Sequence, residues 1–170
     1  MTLIEVDPSL SEICRAVELH VRNIGELAEL ELRAELLLDF NSLTDPEAKL
    51  RGYRLRPALY RLKEQTILVN GANFFSLAED VSRAALAHEI GHAVYHRDSL
   101  GQLVPTYKFL HEDIVADLLA CKWGFLGGLR RERLGSYGQR YSEILELWSN
   151  EDEFVRRMNT WYQRRLAGII

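Results

Sequence analysis

The stretch that decides the fold is Ala84-Ala85-Leu86-Ala87-His88-Glu89-Ile90-Gly91-His92. Its last five residues have the form HExxH, two histidines four apart with a glutamate directly after the first. In an α-helix, residues four apart lie on one face about one turn apart, so the two imidazoles can converge on one cation. Imidazole nitrogen suits zinc, and two such ligands leave room for a third protein ligand and a water. Glu89 then stands beside that water rather than on the metal. A carboxylate there serves as general base: it takes a proton from a water whose pKa the metal has lowered and passes it to the leaving amine. Val81, Ala84, Ala85, Ala87 and Ile90 interleave with polar positions and no proline interrupts them, which predicts a helix over Glu79 to Tyr95. Gly91 in its interior costs about 1 kcal/mol relative to alanine, tolerable where a metal or a neighbouring helix needs the space.

Downstream, beyond a polar stretch with Gly101 and Pro105, a second helical pattern runs from about Leu110 to Phe125 and is expected to stop near Gly127-Gly128. It contains His111-Glu112-Asp113-Ile114-Val115-Ala116-Asp117. Asp113 and Asp117 are four apart, so both carboxylates can face the first helix. One of them is then the third zinc ligand, and the other accepts from the free N–H of a ligating imidazole. Upstream, Gln65 to Asn70 is β-branched and apolar and ends in Asn70-Gly71, which predicts a strand stopped by a turn. Its partner is expected from residues 51 to 62.

Ile67-Leu68-Val69-Asn70, Ala87 to His92, and Asp113 to Ala120 together resemble the strand, active-site helix and ligand helix of gluzincin-type metallopeptidases, especially the small ImmA/IrrE-type family. The resemblance covers about residues 66 to 125. It implies zinc as cofactor, His88 and His92 as ligands, Glu89 as base, and the acidic residue four before Asp117 as third ligand. The family usually has Glu at that position. Asp113 is one methylene shorter, so either the two helices approach more closely or Glu112 reaches in. Helical phase favours Asp113 as the ligand, with Glu112 as the alternative, and leaves Asp117 to accept from a ligating imidazole. Family members often act on transcriptional repressors, which implies a specific protein or peptide substrate, a transcriptional regulator among the candidates, and endopeptidase rather than exopeptidase action. An extended substrate is expected to add to the edge of the Ile67–Asn70 strand.

Other polar residues near the motif have less definite readings. His96 continues the line of His88 and His92, but one straight helix does not easily bring three successive turns onto one ion, so it is read as polar lining or surface. His111, Tyr95 and Tyr107 are candidates for stabilising the tetrahedral oxyanion. Cys121 is read as an inert buried thiol, with a place near the site as the alternative.

The flanks complete the outline. Leu10, Ile13, Val17, Val21 and Ile24 follow a Pro8-Ser9 start signal and predict a helix; Gly25 breaks it. Glu26 to Phe40 is read as a second helix from its Glu, Leu and Ala content, although the Leu-Glu alternation at Leu30 to Arg33 would also suit a strand. Asn41 to Pro46 is a turn cluster. Two amphipathic helices close the chain, their aromatics Tyr137, Tyr141, Trp148, Phe154, Trp161 and Tyr162 expected in the core; a peptide groove lined by Trp148 or Trp161 is the alternative. The 170 residues suit one domain. Their net charge of -4 gives no footprint for direct nucleic acid binding, and no run is long and apolar enough for a membrane span. Glu5, Asp7 and Pro8 stand where a secretory signal would be basic and then apolar, and Cys14 and Cys121 have no CxxC spacing, so a cytoplasmic, reduced protein is expected.

The expected fold is therefore α+β: a mostly helical single domain over 1–170 with a small β-sheet beside the HExxH helix. Residues 1–50 form a helical part, 51–126 a minimal zincin core and 127–170 the C-terminal helices. The expected function is zinc-dependent proteolysis. A non-catalytic, metal-stabilised helical interaction module is the competing reading, against which the intact Glu89 counts, since a structural site needs no base. Hydrolysis of a non-peptide amide is a weaker third.

Overall fold

The computed structural model describes residues 1–39 and 56–168, so the turn cluster at 41–46 lies outside the described residues. Among the described residues, eight α-helices accompany one four-stranded mixed sheet, and the protein is a mostly helical α+β fold. The strands are β1 (Thr2–Val6), β2 (Glu31–Leu37), β3 (Ala58–Arg61) and β4 (Thr66–Asn70), in the order β1-β2-β4-β3. β1, β2 and β4 run parallel, while β3 pairs antiparallel with β4 and forms one edge. All five residues of β4 are buried, as an apolar run paired on both sides requires. Its partner β3 falls within the 51–62 range expected for it.

The helical reading of 26–40 is corrected: β2 occupies 31–37. Leu32 and Ala34 are buried while Glu31, Arg33 and Glu35 are exposed, an alternation of period two that one covered face selects. The helix propensity of Glu, Leu and Ala is overridden because β2 is hydrogen-bonded to β1 on one side and β4 on the other. The N-terminal segment is thus β1–α1–β2 rather than two helices, with α1 (Ser11–Val21) as the crossover between parallel strands. The start signal at Pro8 forms a 3₁₀ turn, Pro8–Leu10, whose cap Asp7 accepts from Ser9 N at 2.9 Å. α1 buries Cys14, Val17 and Val21 along one face.

After a short α2 (Gly71–Phe74) comes α3 (Glu79–Arg97), the helix that carries HExxH. From Val81 to Val94 every residue but Arg83 is buried, so this helix is enclosed on all sides rather than lying along a surface. It packs against α1, β3 and two later helices, α5 (Glu112–Lys122) and α6 (Leu126–Tyr137); the short α4 (Leu100–Leu103) intervenes. α7 (Gln139–Leu145) and α8 (Glu151–Leu166) complete the chain.

Two glycines set the crossings. A Cβ on Gly91 would stand 2.9 Å from Ala116 Cα, so α3 and α5 touch backbone to backbone, and one on Gly128 would stand 2.1 Å from Asp80 O, where α6 meets α3. Gly127-Gly128 therefore do not stop α5. They lie inside α6, while α5 ends at Lys122 and the chain turns at Gly124 with φ +94°. No helix among the described residues is long and apolar enough to cross a membrane.

Candidate metal centre

The burial of α3 and its contact with α5 bring three donor atoms together. His88 Nε2 and His92 Nε2 are 3.2 Å apart. Asp113 Oδ1 lies 3.1 Å from the His92 nitrogen and 3.8 Å from that of His88. Two donors each about 2.0–2.1 Å from a tetrahedral zinc stand roughly 3.3 Å apart, so this triangle has the dimensions of a zinc site. The short Asp113 reaches because Ala116, one turn later on α5, sits directly against Gly91, the neighbour of His92. The start of α5 is fixed by His111, whose Nδ1 accepts from Asp113 N at 3.3 Å. Glu112 turns elsewhere: its Oε2 is 3.0 Å from Nε2 of His96, one turn further along α3.

Asp117 is fully buried and closes a second layer of contacts. One of its oxygens is 2.6 Å from His88 Nδ1. Arg133 on α6 donates Nε–H to Oδ2 at 2.9 Å and Nη2–H to Oδ1 at 2.7 Å, and the Tyr141 hydroxyl on α7 donates to Oδ2 at 2.5 Å. Arg133 Nη2 also stands 3.0 Å from His88 Nδ1, but the Asp117 oxygen is nearer, and an Nδ1–H given to it leaves Nε2 for a cation. Burial and the Arg133 guanidinium work against protonating His88, but the Asp117 and Asp113 carboxylates outweigh them and hold its pKa up at about 9. Burial likewise disfavours the Asp113 anion, yet hydrogen bonds from His88 and His92 and the charge of Arg56 hold its carboxyl well below the usual range. The carboxylates thus favour the protonated imidazole, and the imidazoles the ionised carboxylate.

Glu89 stands outside the triangle. It is buried, and its Oε2 accepts from the backbone N–H of Tyr60 on β3 at 2.7 Å. A cavity of about 850 Å³, within the usual size of ligand sites, is lined by Glu89, His92, Asp113 and His111 together with Leu59 and Tyr60 of β3. Arg56, Tyr137 and the α8 residues Trp161, Tyr162 and Arg165 also line it. An Arg56 nitrogen is 3.4 Å from Asp113 Oδ2. Burial pushes the Tyr137 hydroxyl up, which keeps it a neutral donor, and the Arg133 and Arg165 guanidiniums lie 5.4 and 4.7 Å from its ring centre.

Of the three residues considered for the oxyanion, His111 borders the cavity. Tyr95 packs its ring edge-on to His96 at 5.2 Å with its hydroxyl against Gly101, and the Tyr107 hydroxyl accepts from Lys122 Nζ at 3.2 Å. The strand edge expected at Ile67–Asn70 is also corrected: β4 is paired on both sides, and the edge beside the cavity is β3. Cys121 is buried, and burial raises its thiol pKa, which leaves it protonated. Arg56, Arg133, Tyr137 and Tyr141 join the site although no sequence motif includes them. Local spacing does not mark Arg133 among its neighbouring arginines, and Tyr137 and Tyr141 carry a signal only as an aromatic stripe, which reads as core. No protein-family model, curated protein or solved structure matches the chain.

Proposed function

We propose that the chain is a zinc metallopeptidase of the gluzincin kind that cuts internal peptide bonds of a specific protein in the cytoplasm. The observation that carries this reading is a buried His88–His92–Asp113 donor triangle with the carboxylate of Glu89 beside it, opening on a cavity. A zinc ion held by those three residues would lower the pKa of a water and polarise the scissile carbonyl. Glu89 takes the proton from the attacking water and returns it to the leaving nitrogen. The Tyr60 N–H engages Oε2 and so leaves Oε1 for that proton. Asp117 orients His88, and Arg133 and Tyr141 hold Asp117 in turn. The lining of the cavity by Arg56, His111 and Tyr137 supports a role for them as donors to the carbonyl oxygen as charge develops on it. An extended substrate has the β3 edge to pair with, and Trp161 and Tyr162 offer apolar contact to its side chains.

The test is zinc content by elemental analysis, together with digestion of a proteome-derived peptide library read by mass spectrometry. Tightly bound zinc and internal cleavage that a chelator abolishes and zinc restores are expected. By the resemblance, transcriptional regulators are the first intact substrates to try. Bound zinc with an untouched library would support the interaction-module reading instead, and a chain that binds no zinc would end both.

A further inference from the structure

α3 and α5 present one pairing twice. His88 and His92 face Asp113; one turn further along α3, His92 and His96 face Glu112, with a donor atom of each within 4.8 Å of the other two. The repetition follows from spacing, since 88, 92 and 96 step by one turn while Glu112 and Asp113 are neighbours projecting about 100° apart at the start of α5. The outer pair is well set for metal: His96 Nε2 and Glu112 Oε2 are 3.0 Å apart, close to the roughly 3.3 Å of two donors on one tetrahedral ion. The His96 ring is held in place, stacked on Tyr60 at 6.4 Å and met edge-on by Tyr95 at 5.2 Å. Unlike the inner triangle, this position is open. The His96 and Glu112 side chains are 29 % and 37 % exposed, and both line the cavity.

We infer that His96 and Glu112 form a second, weaker site for a first-row divalent cation, zinc foremost, and that an ion there obstructs the cleft. One carboxylate and one imidazole suit such ions rather than calcium or magnesium. An imidazole nitrogen holds one ion at a time, so with His92 engaged on the inner ion the outer one keeps two protein ligands and fills its other positions with water. That makes it the weaker of the two. Tyr60 belongs to the β3 edge and packs on His96, so an outer ion sits beside the path of an extended chain. This obstruction, unlike the site itself, rests on the hydrolase reading.

The experiment is a titration of the metal-free chain with zinc, followed by calorimetry and by metal analysis after dialysis, with His96→Ala and Glu112→Gln alongside. The wild type is expected to take up two ions in two separate steps, and each variant one ion, the tight step unchanged. A single step in the wild type up to millimolar zinc overturns the inference. So does a second step that survives in both variants, or loss of the tight step with the weak one. On a cleaved peptide, excess zinc should inhibit the wild type and spare both variants, each measured against its own rate at one equivalent; equal inhibition of all three overturns the obstruction. Because uptake is read without cleavage, two steps with no proteolysis refute the hydrolase reading alone. One step with zinc-dependent proteolysis refutes only the second site.

Discussion

Gly91→Ala isolates the feature on which the short third ligand depends. The added methyl would lie 2.9 Å from both Cα and the carbonyl oxygen of Ala116 and 3.1 Å from its Cβ. Ordinary contact between such atoms is about 3.5–4.0 Å, so α5 must move away from α3 by roughly 0.5–1 Å. The nearest atoms are helix backbone, and no side chain can swing aside to relieve them. Two stability effects oppose each other: alanine regains about 1 kcal/mol of helix propensity, while overpacking costs about 1–3 kcal/mol. The net loss is between nothing and about 2 kcal/mol, visible as a modest drop in the melting midpoint of the metal-free protein. The donor triangle suffers more. Asp113 sits one turn before Ala116 and moves with α5, whereas ligand distances tolerate only about 0.2 Å. Zinc affinity, measured by competition with a chromophoric chelator, should fall at least about tenfold, or about 1.4 kcal/mol. Restoring the extra methylene with Asp113→Glu in the same chain should recover part of it. Affinity within about twofold of wild type in Gly91→Ala would refute the reasoning, because the close crossing would then not be what brings Asp113 to the histidines.

The remaining expectations concern charge. Although burial and Arg133 oppose it, the Asp117 and Asp113 carboxylates hold metal-free His88 at about 9, so zinc must displace a proton below that pH. Apparent affinity should therefore rise roughly tenfold per pH unit from 7 toward 9 and then flatten; flattening near the unperturbed value of about 6.5 would contradict the buried contacts. Arg133→Met strips a guanidinium from fully buried Asp117 and should cost about 3–5 kcal/mol in urea unfolding of the metal-free chain, where a loss under about 1 kcal/mol would mean that Asp117 does not depend on it. Asp113→Ala should remove the tight zinc step and Glu112→Ala should leave it, and the reverse outcome would make Glu112 the third ligand.

Local spacing made the centre of the molecule legible. The helix that spacing predicts over 79–95 is α3, which runs to Arg97, and the four-residue steps from His88 to His92 and from Asp113 to Asp117 are properties of a helix alone. The sheet was half hidden. β4 announces itself by its β-branched run, but β1 and β2 exist because they pair with strands distant in sequence, and the residues of β2 taken singly favour a helix. Only its period-two alternation pointed the other way. Gly127-Gly128 misled as a stop because their small size serves the packing of α6 on α3, not a turn. Arg133 and Tyr141 reach Asp117 from a helix pair later in the chain, and nothing local marks one arginine in a run of them as the buried one. The Gly91–Ala116 contact lets a side chain as short as that of Asp113 reach the two histidines.

If Glu89 is the general base beside a metal that it does not ligate, Glu89→Gln should separate metal binding from catalysis. The amide is nearly isosteric and can still accept from Tyr60 N, so fold and metal site should be undisturbed. Zinc content equal to wild type, with cleavage of the peptide library reduced at least about a hundredfold, is the expected result. Cleavage that survives the substitution, or zinc that is lost with it, would contradict a general base at Glu89.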